Sequence, residues 1–381
     1  MPIQKGPLGN DIGSSEIAAG AVTYAKLASD IQRSGMKNRI INGAMVIDQR
    51  NAGASVSGND GVFVVDRWRT ETSQSGKLTM QQNQGSVTPP AGFRNYIGLI
   101  SSSAYSLLST DRFGLAQWIE GYNVADLDFG KTTAKTFTLS FWVRSSLTGT
   151  FGVGLIGYDE GSAFRSYVTT YTISSANTWT YISITVPGDT SGTWSITNGH
   201  GLYVNFNLGY GSNYTKAANS WGDGMYYGPT GATSVVGTNG ATFYITGVQL
   251  EAGSTATNFE VRSYGTELAL CQRYFQKVGD GGNPYAVLGV GRFSSTTNAS
   301  LRFPWSVVMR TTPTASFNTA TYQFTDGTSS RSVGAISIYS AGTDGCEGDV
   351  VTSAATNGNM TQLRGNAASP NAPYINLSAE L

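Results

Sequence analysis

Residues Ala241 to Lys277 read ATFYITGVQLEAGSTATNFEVRSYGTELALCQRYFQK. Apolar and polar residues alternate over the first part of this stretch, which predicts a strand from Thr242 to Leu250. Apolar residues then recur at steps of four, three and four, which predicts one face of a helix with Ser263 as its N-cap. The residues of that face are Tyr264, Leu268, Cys271 and Phe275. The glycine-rich run Gly279–Gly282 predicts the end of the helix.

This pattern predicts that the last strand of one β module leads into a single linking helix, residues 263–278, and then into a second β module. A helix of this length is not stable alone in water. We therefore expect it to lie on a sheet or on copies of itself.

Several motifs in the chain resemble those of tail-fibre and other virion fibre proteins of tailed bacteriophages. The closing motifs are ITGVQLEAG (Ile245–Gly253) and ATNFEVRSYGTELALCQRYF (Ala256–Phe275), the opening motifs are NRIINGAMVIDQR (Asn38–Arg50) and VDRWR (Val65–Arg69), and the terminal motif is NLSAEL (Asn376–Leu381). The resemblance implies a jelly-roll of the kind shared with many carbohydrate-binding modules, a location in the virion, and attachment to the particle through the N-terminus.

The composition of the 381 residues is typical of an all-β protein. Only 13% of the residues are charged, whereas 40% are hydrophobic, 11% are aromatic and 48 are glycine. The 24 basic and 24 acidic residues cancel, which argues against a nucleic acid or an anionic membrane as partner. No segment has the pattern of a signal peptide or a membrane span, so we expect synthesis in a host cytoplasm and no membrane insertion. Cys271 and Cys346 are expected to be free thiols.

Strand patterns divide the chain after residue 38 into two modules. Residues 39–262 are predicted to form a jelly-roll β-sandwich with strands at Ala44–Gln49, Val62–Thr70, Lys77–Gln82, Tyr96–Ile100, Phe113–Glu120, Phe137–Arg144, Thr150–Ile156, Tyr167–Ile173, Trp179–Val186, Gly201–Leu208 and Thr242–Leu250. Residues 279–381 are predicted to form a smaller β domain, the tip, with strands at Ala286–Val290, Ala299–Phe303, Ala315–Phe317, Thr321–Phe324, Ala335–Tyr339 and Tyr374–Leu377. The mainly β class is therefore expected throughout.

Residues 1–38 have a different character, being punctuated by Gly and Pro before a short helical pattern. Their apolar residues bury little area in one copy, which favours a homotrimer neck. The neck residues are Ile17, Val22, Tyr24, Leu27 and Ile31. The alternative is a tail that docks on its own domain. The resemblance favours the neck and implies that this segment binds a tail or capsid protein of the virion.

Residues capable of catalysis are sparse. The only histidine, His200, lies in the turn-forming sequence NGHG, and no Gly-x-Ser-x-Gly elbow accompanies it. Asp126 with Asp128, and Asp159 with Glu160, could act as acid pairs or, for the first pair, bind calcium; solvated loop acids are the simpler interpretation. We predict no cofactor and no enzymatic activity.

Loop aromatics are the candidate glycan-binding groups. The segment Leu208–Thr230 lacks periodicity and is long for a loop, and aromatic rings beside amides and carboxylates suit sugar rings. The candidates are Trp194, Tyr210, Tyr214, Trp221, Asp223 and Tyr226. The alternative is that this loop packs between subunits. Trp68, Trp118 and Trp142 lie in strand patterns and are predicted to face a core or the neck.

Three functions fit these patterns. The first is a homotrimeric tail fibre that is anchored by its N-terminus and binds host-surface glycan. The second is a capsid head fibre or decoration protein of the same architecture. The third is a polysaccharide depolymerase that uses one of the acid pairs.

Overall fold

The computed structural model describes residues 36–158, 164–279, 283, 285–318, 322–325, 329–339, 341–352, 355–366 and 372–381. Two predictions fall outside these residues: the neck formed by Ile17, Val22, Tyr24, Leu27 and Ile31, and the acid pair Asp159 and Glu160. Among the residues that are described, none of the helices is both long enough and apolar enough to cross a membrane.

The first module is built from strands that the period-two patterns largely predict, and all of its strand pairs are antiparallel except one short parallel pair. In chain order these strands are β1 (Val56–Ser57), β2 (Phe63–Val65), β3 (Trp68–Thr72), β4 (Leu78–Gln82), β5 (Ile97–Ser101), β6 (Arg112–Glu120), β7 (Phe137–Ser145), β8 (Gly149–Tyr158), β9 (Phe164–Ile173), β10 (Thr180–Val186), β11 (His200–Tyr210), β12 (Thr215–Lys216), β13 (Trp221–Asp223), β14 (Gly228–Pro229) and β15 (Thr242–Ala252).

These strands form a jelly-roll β-sandwich, as predicted. The first sheet has the order β1-β4-β5-β15-β7-β10, and the second sheet has the order β13-β9-β8-β11-β6-β3-β2. The inward faces of both sheets meet in one apolar core, where Trp68, Phe141 and Phe206 are fully buried. Burial of that continuous apolar area supplies the main driving force for folding.

The strand predicted at Thr242–Leu250 is confirmed as β15, which lies between β5 and β7 in the middle of the first sheet. Its pairing with β7 shifts register between Thr246 and Gln249. Gly247 occupies the bulge with φ +63°, and a Cβ there would lie 2.6 Å from the Phe93 ring. Only glycine therefore fits both the backbone angle and the space.

The linking helix is shorter than predicted. Helix α1 spans Tyr264–Gln272, and Ser263 caps it by accepting a hydrogen bond from the Thr266 amide. The assignment of Phe275 to this helix is wrong, because Phe275 begins a strand, and Tyr264 is 65% exposed rather than part of a buried face. The helix ends well before Gly279–Gly282 because Arg273 and Tyr274 are held by a carboxylate of the first module, described below.

The helix lies on the segment that opens the first module. Cys271 and Tyr274 pack with Ile41 and Ile47 in a small buried cluster. The strand predicted at Ala44–Gln49 is absent from this segment. Asn42 and Met45 both have φ 58°, and the Asn42 side chain bonds the amide and the carbonyl of Ile47, which folds the segment into turns.

The second module follows α1 and is also antiparallel. Its strands are β16 (Phe275–Val278), β17 (Val287–Phe293), β18 (Asn298–Pro304), β19 (Thr314–Phe317), β20 (Tyr322–Thr325), β21 (Ser330–Ser332), β22 (Ala335–Tyr339), β23 (Gly345–Val351), β24 (Met360–Gly365) and β25 (Ile375–Ser378). They form sheets with the orders β16-β25-β19 and β21-β20-β24-β17-β18-β23-β22. Cys346 lies in β23, and both it and Cys271 are buried free thiols, as predicted.

Buried ion pairs join the C-terminal segment to the first module. Glu380 accepts a hydrogen bond from Arg50 at 2.7 Å and another from Arg67. The two guanidinium groups stack on the rings of Phe275 and Tyr274, each with its central carbon 3.6 Å from the ring centroid. The terminal and opening motifs therefore contact each other directly.

A second carboxylate fixes the end of α1. Glu120 is 1% exposed and accepts hydrogen bonds from Arg273 at 2.9 and 2.5 Å and from the Tyr274 hydroxyl at 2.7 Å. We call Glu120, Arg273, Tyr274, Glu380, Arg50 and Arg67 the buried network. The opening, closing and terminal motifs of the sequence supply all of these residues except Glu120, so these motifs help to close the fold.

Candidate functional site

The six candidate glycan residues separate into two groups on opposite faces of the second sheet. Trp194 and Trp221 meet edge to face at 5.5 Å on the core side, where Trp194 is buried. Asp223 accepts a hydrogen bond from Arg165 at 2.6 Å and is 86% exposed. Arg165 is held in turn by the buried carboxylate of Asp189 at 2.6 and 2.7 Å.

The three tyrosines among the candidates lie on the outer face of the second sheet. Tyr210 is buried and stacks on Tyr227 at 5.0 Å, and Tyr214 meets Tyr227 edge to face at 5.7 Å. Tyr226 is half-buried beside Lys216, whose ammonium lies 5.7 Å from the ring centroid. The face of the Tyr210 ring therefore meets protein atoms, while Tyr214 and Tyr226 keep part of their surface open.

The segment that carries Tyr214, Tyr226 and Tyr227, residues 211–230, adds β13 to the edge of the second sheet and packs other residues on the outer face of that sheet. It contains β12, β13 and β14, and we call it the flap. The approach is very close: a Cβ on Gly152 would lie 2.3 Å from Pro229, and one on Gly154 would lie 2.4 Å from the Tyr227 carbonyl oxygen. The glycines of β8 thus explain how the flap covers that half of the sheet.

The other half of this outer face is only partly covered by the described residues and carries what we call the outer-face cluster. Its members are Arg69, Glu71, Arg112, Trp118, His200 and Tyr203. They lie on the neighbouring strands β3, β6 and β11, and antiparallel pairing places Trp118 opposite Tyr203. On β3 and β6 their side chains share one face because they occupy alternate positions. On β11, His200 and Tyr203 are three residues apart and share that face because the pairing with β6 shifts register between His200 and Leu202.

Aromatic rings form one side of the outer-face cluster. The half-buried Trp118 indole has its centroid 4.2 Å from the Tyr203 ring and 4.4 Å from the His200 ring. Packing on both neighbours orients the indole, so its exposed part is presented in a fixed position. A partly exposed, immobilised tryptophan is a suitable surface for the C–H groups of a sugar ring.

Charged groups form the other side of the outer-face cluster. Glu71 is buried and accepts hydrogen bonds from the Tyr203 hydroxyl at 2.5 Å and from Arg69 at 2.8 Å. Its other oxygen lies 3.7 Å from the Arg112 guanidinium. The hydrogen bond between Glu71 on β3 and Tyr203 on β11 crosses over the strand between them, β6. The residue of β6 that pairs with Glu71 is Gly114, which has no side chain, and a Cβ there would lie 2.2 Å from the Tyr210 hydroxyl.

The protonation states follow from burial and from these charges. Burial raises the pKa of Tyr203 well above its usual value, and the Glu71 carboxylate raises it further, so the hydroxyl donates to Glu71. Burial lowers the pKa of His200, and the positive charges of Arg310 and Arg69 add to that shift. His200 is therefore neutral at pH 7 and can accept or donate a hydrogen bond.

A separate pocket of about 220 Å³ lies near the start of the described chain. The half-buried rings of Phe93 and Phe259 contribute to it and meet at 5.1 Å. Its carboxylate Glu260 already accepts hydrogen bonds from the amides of Lys37 and Asn38 and from Arg262. The Glu260 carboxylate of this pocket is therefore occupied by hydrogen bonds within the fold. For this reason the outer-face cluster is the better candidate for binding the hydroxyls of a sugar.

The acid pair Asp126 and Asp128 is bound by basic side chains. Arg39 donates to Asp126 at 2.8 Å, and Lys131 donates to Asp128 at 2.9 Å. No group of three or more His, Cys, Asp or Glu suited to a metal occurs within the part of the chain that the structure describes. This arrangement favours ion pairing over calcium coordination at these two positions.

Sequence reasoning placed Trp118 in a core or a neck and His200 in a loop, and both assignments missed the outer-face cluster. His200 instead begins β11. A signal was present: Trp118 alternates with the inward Ile119, and Tyr203 alternates with the inward Leu202. Large aromatic residues at the outward positions of paired strands indicate a surface that either is covered by other parts of the protein or binds a ligand.

No protein-family model and no curated protein matches the chain. Among solved structures it is similar to a putative sugar binding protein from Bacteroides thetaiotaomicron, at 13% identity over 57% of this chain and 100% of that chain, with a TM-score of 0.34. It is similar to the enzymatically active domain of bacteriophage CBA120 tailspike protein 4 at 14% identity, TM-score 0.32, over 57% of this chain. The match spans 21% of that tailspike chain. The family 11 carbohydrate-binding module from Clostridium thermocellum is matched at 13% identity, TM-score 0.27, over 54% of this chain and 100% of that chain. All three likenesses are remote.

Proposed function

We propose that this chain is a structural virion fibre protein of a tailed bacteriophage, homotrimeric and anchored by residues 1–38, that binds host-surface glycan and does not cleave it. The outer-face cluster carries the glycan-binding part of this proposal. The motifs that resemble fibre proteins support the virion part, and the buried network shows how those motifs close the fold.

The proposed binding mode uses both sides of the outer-face cluster. A sugar ring lies on the exposed part of Trp118, where its C–H groups contact the indole. Its hydroxyls exchange hydrogen bonds with His200 and with the guanidinium groups of Arg69 and Arg112. The residues are held by neighbours before ligand binds, so little side-chain entropy is lost on binding.

Replacing Trp118 by alanine is expected to weaken glycan binding by about tenfold or more, because a central half-buried tryptophan commonly dominates a binding surface. Binding is measured by isothermal titration calorimetry with oligosaccharides from the host surface. Trp142→Ala is the matched control, since Trp142 is half-buried on the first sheet against Tyr181. Equal affinity for both variants would remove Trp118 from the proposed site.

The trimer is tested independently by light scattering of the full chain. Exposed apolar side chains support an oligomer: Val261 is 82% and Tyr264 is 65% exposed, close to where residues Lys37 and Asn38 bond Glu260. We expect a mass three times that of the 40.3 kDa chain. A monomeric mass would contradict the fibre assembly, and electron microscopy of labelled particles distinguishes a tail position from the head-fibre alternative.

The depolymerase alternative is tested with the same oligosaccharides. The carboxylate of the outer-face cluster, Glu71, is already bonded to Tyr203 and Arg69, which suits a structural role. We expect host polysaccharide to keep its chain length during incubation with the protein. Shortened chains would favour the depolymerase.

A further inference from the structure

Two guanidinium groups of the outer-face cluster share a single buried carboxylate. Arg69 and Arg112 have side chains that are 24% and 29% exposed, whereas Glu71 is 7% exposed beneath them. One negative charge is thus sequestered by two positive ones. The surface that a ligand meets is cationic.

These guanidinium groups retain donors for a ligand. Each guanidinium has five N–H donors. Arg69 gives one hydrogen bond to Glu71 from Nη2, and its Nε is buried, so the ligand would meet the remaining donors at the guanidinium tip. Arg112 interacts with Glu71, the Tyr227 hydroxyl and the Tyr214 ring. Planar guanidinium groups with free donors match the geometry of a carboxylate.

The surroundings add positive charge. Arg310, on the second module, lies close enough to lower the pKa of His200. Its own hydrogen bonds go to the backbone carbonyls of Asn198, Ala379 and Glu380 at 2.8 Å. The carboxylates that act on it, Glu120 and Glu380, already bind other arginines of the buried network. The other carboxylate that acts on Arg112 is Asp60, an exposed loop residue whose influence on the Arg112 pKa is smaller than that of Glu71.

We infer that the glycan bound at the outer-face cluster is acidic, with its sugar ring on Trp118 and the carboxylate of a uronic or sialic acid residue on Arg69 and Arg112. This inference rests on the proposed function and names its ligand class. A neutral sugar offers both arginines only hydroxyl acceptors, whereas a carboxylate makes stronger, charge-assisted hydrogen bonds with them.

The test compares each acidic polymer with its own carboxyl-reduced form. Oligogalacturonate and polysialate oligomers are titrated against the full chain, followed by the same oligomers after reduction of their carboxylates to alcohols; dextran sulfate is a third arm. We expect at least one acidic oligomer to bind about tenfold or more tightly than its reduced form. The preference is expected to shrink as salt rises from about 0.1 M to about 1 M.

Variants connect this preference to the outer-face cluster. Arg112→Gln removes one charge while Arg69 keeps its hydrogen bond to Glu71, so the fold is expected to persist. The ratio of the affinities for the acidic and the reduced oligomer should fall by about tenfold, because the glutamine amide can still bond a hydroxyl but carries no charge for the carboxylate. Arg144→Gln is the charge-matched control, because Arg144 lies on the first sheet and bonds the Asn177 carbonyl.

The outcomes separate the inference from the proposed function. If acidic and reduced oligomers bind equally and both depend on Trp118, the inference of an acidic ligand is wrong and the proposed glycan-binding function is retained. Binding of dextran sulfate but of neither carboxylate oligomer would contradict the inference that the arginines bind a carboxylate. Absence of binding to every polymer would contradict the inference together with the proposed function.

Discussion

Replacing Glu380 by alanine is expected to lower the free energy of unfolding by about 3 kcal/mol, because it leaves the buried Arg67 guanidinium without its carboxylate and leaves Arg50 with only Asp66, at 3.8 Å. The Glu380 side chain is 9% exposed, and its partner Arg67 is 2% exposed. Arg67 keeps the Trp118 carbonyl and the Tyr274 ring as partners, which places the loss at the lower end for a broken buried pair. Denaturant unfolding followed by tryptophan fluorescence measures the loss.

The matched control for this variant is Glu347→Ala. Glu347 is an exposed residue of β23 in the same module, so its loss should change the stability by no more than a few tenths of a kcal/mol. If both variants lose the same small amount, the buried network does not hold the C-terminal segment.

Replacing Asp66 by asparagine is expected to stabilise the protein at pH 8 and to have little effect at pH 5. Burial raises the pKa of Asp66 from 3.8 to about 7, against the opposing charge of Arg50 and the Gln49 hydrogen bond. Glu380 and Asp48 raise it slightly further. Asp66 is therefore protonated in the folded protein at pH 5 and ionised at pH 8.

The direction of the pH effect follows from proton binding. Between about pH 4 and 7 the folded state holds a proton on Asp66 that the unfolded chain has released, so stability falls as the pH rises through this window. The full shift corresponds to a loss on the order of 4 kcal/mol, which the asparagine avoids. The difference in unfolding free energy between wild type and variant should grow steadily from pH 5 to pH 8.

This difference isolates Asp66, because the other titrating groups are common to both proteins. Asp344→Asn serves as the control, since Asp344 is exposed on the second module. A difference that is the same at pH 5 and pH 8 for Asp66→Asn would show that this carboxyl does not change its charge in that range.

The strands of the first module could be predicted because one face of each meets a single core. In β11 the alternation of Leu202, Val204 and Phe206 with Tyr203 and Asn205 is sufficient to predict the strand and to separate its two faces, and the structure places the apolar face in the core. The burial of the outward face could not be predicted. It depends on the flap, which has no periodicity of its own and is held by tertiary contacts with β8.

The end of α1 and the turns of the opening segment were missed for a related reason. Local spacing made Phe275 a natural member of the helix, but Glu120, distant in sequence, binds Arg273 and Tyr274 and directs the chain into β16. The outer-face cluster likewise consists of residues from three strands that are far apart in the sequence. Long-range pairing decides such features, and single-sequence patterns do not contain it.

A structure of the protein bound to an acidic oligosaccharide tests the central proposal most directly. We expect density for a sugar ring on the exposed part of Trp118, with its carboxylate within hydrogen-bonding distance of Arg69 or Arg112. Sugar bound instead at the edge formed by Trp221 and Asp223, or in the pocket beside Phe93 and Phe259, with Trp118 left bare, would contradict it.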